Sequence, residues 1–168
     1  GATTYDAAKR LLAIESYDLL ITDVRLRGFN GLNLARQCNT DHPDMAIMII
    51  THDLGVIAEM ADDVVVMYLG RVVEQAPVDD IFHAPKHPYT QALLRSIPHI
   101  RSQSRERLAS ITGAIPHPYN RPPGCPFHPR CVSFMPGVCD RREPDLQQLE
   151  AQHAVSCFLY QSHAPCSS

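Results

Sequence analysis

Tryptophan is missing from this sequence, and so is any G-x-x-x-x-G-K-[ST] string among its few glycines, so no stretch has the phosphate-cradling loop of a nucleotide-hydrolysing site. No apolar run approaches the roughly 20 residues that cross a bilayer. Charge of neither sign dominates: a net charge of −3 offers no long-range attraction for nucleic acid or anionic lipid, which argues against a nucleic-acid binder. No basic-then-apolar leader opens the chain, which starts at Gly1 rather than methionine, as a fragment or a processed chain would.

What is present is enough for a buried core. Apolar residues make up 45% and charged residues 20% of 168 residues, the balance of one soluble domain, or of one domain with an appendage. Tyr5–Ile14 carries its apolar residues on one helical face. Leu19–Thr22 is a short apolar strand running into Asp23, and Leu32–Gln37 is expected to be a second helix after the breaks at Gly28 and Gly31.

The stretch from Ile47 to Glu74 organises the rest. Two β-branched runs, within Ala46–Thr51 and Val64–Tyr68, flank a segment, Asp53–Ala61, whose apolar residues have helical spacing. Arg71–Val73 adds a further short strand. Helix, strand, helix, strand predicts an α/β fold: a partial parallel sheet with flanking helices over about Tyr5–Val73. Beyond it, Pro77, Pro85, Pro88 and Pro98 bracket helices at Val78–His83 and Tyr89–Ser96, with Pro88 suited to a first helical turn. Ile100–Leu108 reads as a connector, and a loop-rich, cysteine-containing module follows, which needs an internal staple to stay ordered.

The residues THDLGVIAEMADDVVVMYLGRVVE, then His87-Pro88-Tyr89-Thr90-Gln91-Ala92-Leu93-Leu94 and GCPFHPRC, resemble the last part of the ATP-binding subunit of an oligopeptide/dipeptide ABC importer, over about residues 48–160. That resemblance implies ATP with Mg²⁺ as ligands, and His52 as the switch histidine that meets the γ-phosphate. It also implies a second ATP-binding subunit and transmembrane permease subunits as partners, and a cytoplasmic, peripheral location on the inner face of the cell membrane. The preceding SYDLLITDVRLRGFNGLNLARQ, with HPDMAIMIIT, resembles the middle of a response-regulator receiver domain over about residues 5–51. There Asp23 matches the phosphoacceptor, Gly31 the glycine after it and Thr51 the hydroxyl residue of the next strand, while Arg27 stands where a proline is usual. The expected division is therefore an α/β core at 1–75, receiver-like over 5–46 and ATPase-like over 47–75, followed by an importer-type extension at 76–168.

Five of the six cysteines lie beyond residue 120. Cys125, Cys131, Cys139 and Cys157 follow C-x5-C-x7-C-x17-C, and in a chain without a secretion signal such a cluster points to metal ligation ahead of disulfides. Four soft thiolates suit an iron–sulfur cluster or a tetrahedral zinc, and the spacing does not choose between them. The importer resemblance implies a [4Fe–4S] cluster. Cys38 is expected in the core and Cys166 in a polar tail. His117, His128 and His153 are replacement ligands or solvated loop residues.

Each candidate also fits a plainer role, His52 as a hydrogen-bonded strand-end histidine and Asp23 as a cap. The resulting expectation is the ATP-binding subunit of an importer for oligopeptides or dipeptides, or its C-terminal fragment, unable to hydrolyse ATP alone. The phosphate-binding loop, the signature loop and the acidic Mg²⁺-binding strand do not occur in the sequence. The alternatives are a receiver-like signalling module with a metal-stapled tail, and a non-functional chimera.

Overall fold

A computed structural model of the chain describes residues 1–26, 29–97, 111, 113–114, 116–117 and 119–161. The expected connector Ile100–Leu108 and the tail residue Cys166 lie outside them. The chain divides into two compact units, Gly1–Asp53 and Leu54–Ser168.

In the first unit, α1 (Tyr5–Ile14) starts at Thr4, whose hydroxyl accepts from the Ala7 amide and satisfies one of the donors that a helix start leaves free. Strand β1 (Leu19–Asp23) leads through a short antiparallel pair, β2 (Arg25–Leu26) and β3 (Phe29–Asn30), into α2 (Gly31–Asp41). Asn30 caps α2 by accepting from the Leu32 amide at 2.9 Å. Strand β4 (Ala46–Ile50) lies parallel to β1, with Leu19 opposite Ala46 and Asp23 opposite Ile50. Buried Leu34, Cys38 and Met45, with Tyr5, Ala8, Leu12, Leu20 and Ile47 against them, form the core, so Cys38 sits where an amphipathic helix would put it.

In the second unit, α3 (Leu54–Met60) precedes a hairpin of β5 (Asp63–Tyr68) and β6 (Arg71–Pro77), followed by α4 (Val78–His83) and α5 (Pro88–Arg95). The later β7 (Gln147–Glu150) and β8 (His153–Val155) complete an antiparallel sheet of order β5-β6-β8-β7. Between Pro88–Arg95 and β7, the regular elements among the described residues reduce to one short 3₁₀ turn, His128–Arg130.

The parallel core expected over Tyr5–Val73 is therefore limited to β1 and β4. Only Leu69 and Gly70 separate β5 from β6, with φ of 46° and 77°. Two left-handed residues in succession make the hairpin turn that matches strand twist, and parallel neighbours would need a crossover of roughly a dozen residues. The strand–helix–strand stretch from Ile47 to Glu74 is divided between the units: β4 pairs with β1, whereas Ile57 and Ala61 pack against Val64, Ala76 and Ile81. Strand β6 also runs on to Pro77, beyond the expected Val73.

Gly31 opens α2 directly beneath the end of β1, and a Cβ there would overlap the Asp23 carbonyl oxygen and crowd the Thr22 hydroxyl. Gly31→Ala is therefore expected to destabilise the first unit by about 1–3 kcal/mol, the usual cost of overpacking. Urea unfolding followed by amide signals from residues 1–53 measures it.

Candidate functional site

Strand β6 is irregular where it matters most. The pairing shifts between Val66 and Met67, so Val66 faces Glu74 while Met67 faces Val72. Such a bulge breaks the in–out alternation of a strand, and consecutive residues Val73 and Glu74 are both buried, Glu74 completely. A carboxyl group removed from water needs partners on its oxygens. Glu74 Oε1 accepts from the Lys86 amide at 2.6 Å and from His153 Nε2 at 2.7 Å, and Oε2 accepts from the His87 amide at 3.1 Å. The contact assigns a proton of His153 to Nε2. One side chain thus ties β6 to the turn before α5 and to β8.

The turn is built by His87-Pro88-Tyr89. His87 caps α5, accepting through Nδ1 from the Tyr89 amide at 3.0 Å, and Pro88 takes the first helical turn where no amide is required. Burial lowers the His87 pKa to about 4, against the opposing pull of the Glu74 charge, so its imidazole is neutral. The Tyr89 ring packs on Tyr68 and Phe127 with centroids 4.7 and 5.3 Å away, which joins the turn to the hairpin and to the cysteine segment. A cavity of about 430 Å³ lies alongside, lined by Arg71, Val73, His87, Cys125, Glu143 and Ser156 among others.

The four cysteines are reduced and are brought into one neighbourhood. The Cys125 amide donates to the Cys139 carbonyl at 2.8 Å, Cys125 and Cys131 pack on the Tyr68–Val73–Phe127 cluster, and Cys157 feels the charge of the other three. Burial pushes the Cys125 and Cys157 thiols up to about 11 and raises Cys131 as well. Backbone amides aimed at the sulfurs act in the opposite direction: those of Phe127 and His128 at Cys125, Ser133 at Cys131 and Leu159 at Cys157. Soft donors with amide hydrogen bonds have the chemistry of a thiolate-held metal group. Their arrangement is looser than a finished site, since among the described residues no set of three or more His, Cys, Asp or Glu side chains is placed to hold a metal ion.

The histidines named as replacement ligands have other partners. His153 is bound to Glu74, His128 Nδ1 pairs with the Cys125 carbonyl at 3.0 Å, and His117 accepts from the Tyr119 amide at 3.3 Å. In the first unit, Asp23 and His52 are exposed at the carboxyl ends of neighbouring parallel strands. Asp23 accepts from the Arg25 amide at 2.8 Å, the expected cap, and Thr51 accepts from the Asp53 amide at 3.0 Å. The residues around His52 supply no phosphate-binding loop. Sequence reading missed Glu74 and His87; a lone acidic residue inside VVEQA, at a position that should be apolar, was the available signal.

Part of this sequence has counterparts among known proteins. Residues 73–139, which carry Glu74, the His87–Tyr89 turn and three of the four cysteines, match the family described as "Oligopeptide/dipeptide transporter, C-terminal region". Among individual proteins, the chain is 50% identical over 116 residues to the oligopeptide transport ATP-binding protein AppD of Bacillus subtilis, covering 69% of this chain and 35% of that protein. It is 47% identical over 114 residues to the dipeptide transport ATP-binding protein DppD of Escherichia coli, 68% of this chain and 34% of that one. A probable peptide ABC transporter ATP-binding protein, y4tR of Sinorhizobium fredii, is 46% identical over 118 residues, 70% and 35% of the two chains. The matched part thus spans about a third of the length of these relatives.

His87 gives the site a defined pH dependence. Its folded-state pKa of about 4 lies below the ordinary value near 6.5. The unfolded chain therefore takes up the proton first as pH falls. The contribution of neutral His87 is intact above pH about 6.5 and is lost progressively down to pH about 4, by about 3 kcal/mol in all. Urea unfolding from pH 7 to 4 is expected to show this loss in wild type, and a shallower one in His87→Asn, which keeps a capping acceptor without a titratable ring.

Proposed function

We propose that this chain is the carboxyl-terminal part of the ATP-binding subunit of an ABC importer for oligopeptides or dipeptides. The observation that carries this reading is the family match over 73–139, which contains the turn that Glu74 holds. In this reading the extension from residue 76 is an appendage of the nucleotide-binding core. The partners are a second ATP-binding subunit and the permease subunits, and the place of work is the inner face of the cell membrane. No helix among the described residues is long and apolar enough to cross a membrane. His52 would meet the γ-phosphate of Mg-ATP only in a site whose phosphate loop comes from elsewhere. Cys125, Cys131, Cys139 and Cys157 would hold a [4Fe–4S] cluster, or alternatively zinc.

A second reading, phosphoryl acceptance at Asp23, draws on the adjacency of Asp23 and Thr51 at the ends of parallel strands. It lacks the neighbouring carboxylates that would bind Mg²⁺ and offset the charge of transfer. Incorporation of phosphate from acetyl phosphate, lost in Asp23→Asn, would favour it.

Two measurements on the purified chain test the importer reading. Phosphate release from Mg-ATP should not exceed that of buffer, and turnover that disappears in His52→Ala would contradict the proposal. Anaerobic purification should give about four irons and four acid-labile sulfides per chain, lost in Cys131→Ser. A metal-free chain would remove the cluster from the account, and about one zinc would replace it with a structural ion.

A further inference from the structure

Among the four thiols, one pair stands apart from the rest. The segment Gly124-Cys125 is pressed onto Cys139–Arg141: a Cβ on Gly124 would overlap the Cys139 carbonyl oxygen and come within 3.0 Å of the Arg141 amide nitrogen. Gly124 has φ +72°, a conformation that leaves glycine free to make this approach. The next amide, that of Cys125, donates to Cys139 O at 2.8 Å. A single amide-to-carbonyl hydrogen bond of this length brings the Cα atoms of its two residues to roughly the 4.4–6.8 Å that a disulfide spans. Every cysteine among the described residues is free.

We propose that Cys125 and Cys139 form a reversible oxidative cross-link in the metal-free chain. The inference does not depend on whether the four thiols otherwise hold a metal, and the two states exclude each other because a disulfide sulfur is no longer a thiolate ligand. With a small disulfide RSSR as oxidant, one cysteine attacks as thiolate, forms a mixed disulfide and releases RSH. The second cysteine then displaces the remaining RSH, so that two thiols and one RSSR give Cys125–S–S–Cys139 and two RSH. Burial, which raises the Cys125 pKa, slows attack by that thiol near neutral pH without changing which partner is in reach. The link closes the loop that carries Val132, 81% exposed, and Phe134. Oxidation thereby fixes the loop and blocks metal loading together.

The test uses the full chain, stripped of metal with a chelator and incubated with excess oxidised glutathione. Intact mass should fall by two hydrogens. Chymotryptic cleavage after Phe134, which separates Cys131 from Cys139, should yield a peptide joining Cys125 to Cys139. The two-hydrogen loss should persist in Cys131→Ser and Cys157→Ser and vanish in Cys139→Ser. All six thiols still open to alkylation in the unfolded chain after incubation would overturn the proposal, as would a wild-type link running from Cys125 to Cys131 or Cys157. Neither result bears on the importer reading, which stands on nucleotide turnover and metal content.

Discussion

A carboxyl group sealed from water dictates the form of the second unit. Glu74 is buried because a bulge in the β5–β6 hairpin turns two successive residues inward. Its oxygens then recruit the Lys86 and His87 amides and the His153 ring. Those contacts join separate segments of the chain: β6, the turn into α5, and a strand that lies between the third and fourth clustered cysteines. Removing any one partner would strand polar groups in a medium that cannot solvate them, which makes the network all-or-none.

The thiol neighbourhood inherits its order from this arrangement. Tyr89, placed by the His87 cap, packs on Tyr68 and Phe127, and Phe127 is two residues from Cys125. Arg130 adds a polar tie, donating to the Ile111 carbonyl at 3.1 Å. A segment poor in helix and strand is thus held by one aromatic cluster, by backbone contacts such as Cys125 to Cys139, and by Ser156 donating to the Pro144 carbonyl at 2.7 Å. The tripeptide His87-Pro88-Tyr89 unites three separate physical jobs in consecutive residues: a cap with a neutral ring, a first-turn proline and an aromatic anchor.

Much of this was legible beforehand where the signal is local. Helical periodicity placed α1 and bracketing prolines placed α4 to the residue, and β-branched runs placed β1, β4 and β5 within a residue at each end. Pairing partners were not legible from periodicity, because apolar runs look alike in parallel and antiparallel sheets. The two-residue Leu69-Gly70 connection was the available clue, obscured by a leucine in a left-handed conformation that usually falls to glycine or asparagine. The cysteines were identified by their count, and their shared neighbourhood is what folding added. Glu74 and His153 could not be paired from sequence, since 79 residues separate them and nothing in composition links a strand glutamate to a distant histidine.

The account turns on Glu74 holding the Lys86–His87 turn, and amide hydrogen exchange reads that hold directly. If it is correct, the Lys86 and His87 amides exchange only on global unfolding of the second unit in wild type, and exchange with an exposed loop's speed in Glu74→Ala under conditions where that unit stays folded. Rapid exchange of these two amides in the wild-type protein at neutral pH would contradict it.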